Sequence, residues 1–144
     1  MDAQDVAAMI DEDRAEWEAL VLLLEAHPDK VLHDPESPGW TARDVYAHLA
    51  RWMTNSTDGL EAWLAGRVNP PIEGTDDEIN ARWQAEDSGL TLEEARARAE
   101  QQFERRISVI EAVPAERWDQ AVEAFARADG AHHYRAHRSF IAVA

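Results

Sequence analysis

Cysteine is absent from the 144-residue chain, which excludes disulfide bridges, thiolate metal ligands and a cysteine nucleophile together. Any thiol in its chemistry would have to arrive with a substrate or co-substrate. Positive charge is scarce: 14 Lys and Arg stand against 29 Asp and Glu, giving a formal net charge of −15. Such a field repels phosphate backbones and anionic lipid surfaces, so nucleic acid and membrane are not expected as partners, whereas cations are drawn in. No uncharged apolar run approaches the roughly 20 residues that a membrane helix needs. The N-terminal MDAQDVAAMIDEDRAEWEAL has neither the basic start nor the apolar centre of a signal peptide, and the expected location is the cytoplasm. Sustained period-two alternation of β-branched residues is missing as well, which removes a sheet from the reading.

What remains is helical. Apolar residues make up 45% of the chain and charged residues 30%, a globular balance that suits one domain over residues 1–144. A first helix is expected from about Asp2 to Ala26, with Val6, Ile10, Trp17, Leu20 and Leu24 at helical spacing, until His27-Pro28 breaks it. Residues 35–39 read as a loop. Thr41 and Asp44 form a capping-box variant that opens a second helix, which ends near Gly66. Thr75 opens a short helix to about Glu86, and Thr91 with Glu94 caps a third long one to Val113. Ala115 to Phe125 reads as an irregular connection with one helical turn. Asp129-Gly130 then introduces the last helix. The fold class predicted is all-α, a four-helix bundle with one extra short helix.

The run HHYRAHRSFI is the richest in chemistry. His133 and His137 are four residues apart, so they stack on one face of a helix, and Phe140 and Ile141 continue that face as an apolar stripe. His48 repeats the pattern on the second helix, between Val45 and Trp52. Three inward-facing imidazoles from two helices can offer three nitrogens to one divalent metal, leaving a fourth position for water or substrate as in a catalytic site. The same residues also fit a plainer reading, in which His48 is a hydrogen-bonded core residue and the pair sits at helical spacing by chance. His27 and His33 flank a proline-rich turn and read as exposed.

With these segments in view, the chain resembles the DinB-like superfamily, and within it proteins of ClbS/DfsB type. The resemblance lies in GWTARDVYAHLARWMTNSTDGLEAWLAG, in AHHYRAHRSFI and in the layout of EGTDDEINARW followed by LTLEEARARAE. It implies a four-helix bundle over nearly the whole chain. It also implies that His48, His133 and His137 match the histidines that hold a nickel- or zinc-type ion in metal-binding members. Some relatives transfer a low-molecular-weight thiol, and ClbS-like relatives open the electrophilic ring of a toxic natural product. The resemblance thus implies a metal-dependent hydrolase or thiol transferase acting on a small electrophile. Two other functions stay open: a non-catalytic module that sequesters such a molecule, and a scaffold without metal, as a homodimer burying the first helix.

Among the six tryptophans, Trp17, Trp52 and Trp63 fall on apolar stripes, and Trp40 precedes the Thr41 cap as a hydrophobic staple against Val45. Trp52, one turn from His48, and Asn55 are candidate substrate contacts. Asn80 and Trp83 share a face of the short helix, which suits a lid. Asp44 serves the helix N-terminus. Tyr134 points about 100° away from His133 and is expected to pack. The run RARAEQQFERR reads as a solvated face.

Overall fold

The computed structural model describes residues 1–34 and 37–143. Pro35 and Glu36 of the expected loop, and Ala144, lie outside the described residues. Among those described there are six α-helices and no strand: α1 (Ala3–Ala26), α2 (Ala42–Leu64), α3 (Asp76–Glu86), α4 (Leu92–Glu111), α5 (Gln120–Arg127) and α6 (Ala131–Val143). None is long and apolar enough to cross a membrane.

Local chemistry sets most of the boundaries. Asp2 and Asp5 cap α1 reciprocally, Thr41 and Asp44 do so for α2, and Thr91 and Glu94 for α4. Thr75 accepts the Glu78 amide at the start of α3. Each bond satisfies a donor that the first helical turn leaves free, a contribution of about 1 kcal/mol. Apolar stripes then set which faces meet. Leu49, Met53 and Leu60 of α2 are buried against Ala95, Ala99, Phe103, Ile107 and Ile110 of α4. The two alanines leave room for the α2 and α4 backbones to approach. On the other side, Trp17 of α1 stacks on Phe103 at 4.9 Å and meets Tyr134 of α6 edge-on at 5.2 Å. Tyr134 is fully buried, its hydroxyl 3.1 Å from Met53 Sδ, so it packs as expected.

The bundle of α1, α2, α4 and α6 agrees with the sequence reading, but two expectations are corrected. The segment 115–125 is more ordered than anticipated: after a 3-10 turn at Ala115–Arg117, Asp119 caps α5 by accepting the Val122 amide at 2.9 Å. Val122 and Ala126 bury the inner face of α5. The run RARAEQQFERR is also not wholly solvated, because Arg106 is 2% exposed and paired with Asp13 of α1, itself 3% exposed, at 2.7 Å. The other Asp13 oxygen accepts the Ala131 amide at 2.8 Å, and Arg106 Nη2 donates to the Ala126 carbonyl. A carboxylate of α1 thereby does the work of an N-cap for α6, which has none of its own in the preceding Gly130.

Candidate metal centre

Two helices deliver the three histidines to one point. His48 projects from the second turn of α2, and His133 and His137 come from successive turns of α6. The His133 Nε2 atom lies 3.2 Å from that of His48 and 3.0 Å from that of His137. One nitrogen from each of the three falls within 4.8 Å of the others. With metal–nitrogen distances of about 2.0–2.1 Å, two ligands of one ion stand about 3.0 Å apart at right angles and about 3.4 Å apart at the tetrahedral angle. The two spacings from His133 Nε2 fall in that interval. The donor set, three borderline nitrogens with no thiolate, suits nickel or zinc better than calcium or magnesium.

Electrostatics hold the cluster ready to donate. Burial, and then the neighbouring imidazoles His137 and His133, push His48 well below its ordinary 6.5, although the Asn80 side chain opposes the shift. Burial, then His133, push His137 down to about 3. Neutral imidazole is the form that binds metal. The same shifts make the fold pH-dependent. An unfolded chain takes up these protons near 6.5, while the native metal-free protein resists them to about 3 at His137. The unfolded state therefore binds more protons in that window, and stability is full above it and falls as pH drops through it. The slope is up to about 1.4 kcal/mol per pH unit for each histidine. Urea midpoints at about pH 7 and about pH 5 are expected to differ less for His137→Gln than for wild type; equal differences would remove His137 as a cause.

The surroundings give the cluster one buried and one open side. His137 is 8% exposed. Trp40 closes the inner end with its ring edge-on to His48 at 5.1 Å, a contact that its expected role as a staple did not include. On the open side, His48 and His133 line a cleft of about 850 Å³, together with Trp52, Asn55, Phe125 and the loop around Pro70-Pro71. Trp52 donates its indole N–H to Asn80 Oδ1 at 2.7 Å and meets Trp83 edge-on at 4.9 Å. Of the expected shared face of α3, Asn80 lies on the cleft wall, while Trp83 packs against Trp52 and does not line the cleft. Asn55 also reaches the cleft, and it is exposed beside the buried stripe of α2. Phe140 is only half-buried, while Ile141 joins the core.

Asp44 accepts the Thr41 amide at 3.0 Å and pairs with Arg43 at 2.8 Å, so it serves the helix end as expected. His27 and His33 are exposed. Sequence reasoning passed over Asp129, read only as part of a turn, whose carboxylate lies 3.2 Å from His133 Nδ1. The Asp-Gly pair at a helix start, four residues before a candidate ligand, was the available signal.

Residues 9–141 match the family model of the DinB superfamily. No curated protein and no solved structure matches the chain.

Proposed function

Because the chain belongs to the DinB superfamily, we propose that it is a metal-dependent small-molecule enzyme of ClbS/DfsB type, a hydrolase or thiol transferase acting on an electrophile. DinB-like proteins often bind a metal, and His48, His133 and His137 would hold a nickel or zinc ion here. The observation that carries the reading is the convergence of three ring nitrogens at the floor of an open cleft. When bound, such an ion supplies Lewis acidity, which polarises an electrophile or acidifies a water or thiol.

The protein's own residues would do the rest. His137 and Trp40 shield the inner side, so a substrate would approach through the open cleft that Trp52, Asn55 and Asn80 help to line. Trp52 offers an apolar face, fixed by its bond to Asn80. Asn55 offers an amide that orients a polar group. The cleft volume lies within the roughly 300–1,000 Å³ usual for small-molecule sites. The absence of cysteine means that thiol transfer would draw on a free low-molecular-weight thiol.

Metal-loaded wild-type protein is expected to turn over a small epoxide or activated ester, with or without added thiol, and His48→Ala is expected to lose that turnover at least 100-fold. Turnover unchanged in His48→Ala would sink the enzyme reading at this site. Thermal stabilisation by the same molecules with no turnover would instead identify a sequestering module.

A further inference from the structure

Deepening the metal reading, on which it rests, we propose that Asp129 is a positioning residue of the centre: its carboxylate receives the Nδ1 proton of His133 and so leaves Nε2 unprotonated toward the ion. A neutral imidazole carries its proton on one ring nitrogen and accepts at the other, and the partner of the first decides which. All three Nε2 atoms must accept if one ion is to take them together. Metal-ligating histidines commonly achieve this by donating their other N–H to a carboxylate.

Geometry places Asp129 for that role. Its Oδ1 lies 3.2 Å from His133 Nδ1, one helical turn away. In the metal-free geometry Nδ1 is buried and makes no hydrogen bond, so the carboxylate sits at the right distance but off the N–H direction. A rotation of the imidazole toward the carboxylate would align them.

The backbone supplies a second, independent observation. Asp129 has φ 58°, the only positive value at a non-glycine residue among those described. L residues avoid this left-handed region, and Asp and Asn enter it most readily. Strained conformations of this kind persist only where the surroundings enforce them. Here they do. The next residue, Gly130, lies so close to the buried pair that a Cβ on it would stand 2.5 Å from Arg106 Nη2 and 2.8 Å from Asp13 Oδ1. Asp13 also holds the Ala131 amide. The turn is therefore gripped from the core side, and the Asp129 carboxylate is left facing His133 across the first turn of α6.

Two substitutions separate the carboxylate from the turn. Asp129→Gly tolerates the positive φ and removes the acceptor, while Asp129→Asn keeps both the conformation and an acceptor oxygen. Long-range nitrogen–proton NMR spectra of the metal-free proteins report the tautomer, with the His133 signals assigned by their loss in His133→Gln. Wild type and Asp129→Asn are expected to show His133 protonated at Nδ1, and Asp129→Gly to shift toward Nε2. Nickel affinity, measured by chelator competition, is expected to fall roughly 10- to 100-fold in Asp129→Gly, with Asp129→Asn between it and wild type. A wild-type His133 protonated at Nε2 overturns the proposal, whether or not the glycine variant folds. An unchanged tautomer in Asp129→Gly overturns it as well, even if nickel binds less tightly. Failure of wild type itself to bind nickel strikes the metal reading instead, and the tautomer comparison still decides what Asp129 does to His133.

Discussion

Tag-free wild-type protein is expected to carry close to one nickel or zinc ion per chain, and His133→Ala close to none, when both are assayed by plasma mass spectrometry. His133 is the choice because it is the middle ligand, with its Nε2 3.2 Å from that of His48 and 3.0 Å from that of His137. Removing it leaves two imidazoles on different helices without the nitrogen that sits between them. The loss should exceed the roughly 10- to 100-fold typical of an outer partner, because a direct bond to the ion disappears. Stability supplies a second readout. A ligand held only by the native state at a thousand times its Kd adds about 4 kcal/mol, which raises Tm by on the order of 10 °C in a domain of this size. That rise is expected in wild type and not in His133→Ala. Absence of metal after incubation with nickel and zinc would sink the reading, and the cluster would stand as a histidine-lined cavity.

The clustering of the three histidines was legible in the sequence because helical spacing is a local property. His133 and His137 follow the same 3.6-residue period as Ile141, and His48 the same period as Val45, so a core-facing stripe brings all three inward. The capping boxes of α2 and α4 were legible for a similar reason: partners three residues apart can be recognised without a fold. What escaped were arrangements whose partners are distant or whose backbone is unusual. Arg106 sits in a charged run and looks solvated until α1 brings Asp13 against it from 93 residues away. Helix α5 has only eight residues and follows a proline, so its periodicity is short, although its Asp119 cap was available. Asp129 gave a turn signal, but no pattern of residue types reveals that its carboxylate folds back onto His133.

Breaking the buried Asp13–Arg106 pair is expected to cost about 3–5 kcal/mol, a large part of the roughly 5–15 kcal/mol that holds a domain together. In Arg106→Met the Asp13 carboxylate stays 3% exposed without its counter-charge, and the Ala126 carbonyl loses its donor. In Asp13→Leu the guanidinium is stranded, and the first amide of α6 loses its acceptor as well. The double variant Asp13→Leu/Arg106→Met should cost much less than the sum, because apolar groups of similar size tolerate burial where a lone charge does not. Its residual cost should reflect the unpaired Ala131 amide and Ala126 carbonyl, about 1–3 kcal/mol each where they stay buried. Urea unfolding of the three variants tests this directly. Single variants within about 1 kcal/mol of wild type would mean that water reaches the pair, and strict additivity would mean that the two charges act apart. The same series links stability to the site, since Ala131 stands two residues before His133 and the clamp fixes where α6 begins. Asp13→Leu is therefore expected to bind nickel more weakly than wild type even where the protein remains folded, whereas Asp13→Asn, whose amide oxygen can still accept from Ala131, should recover most of that affinity.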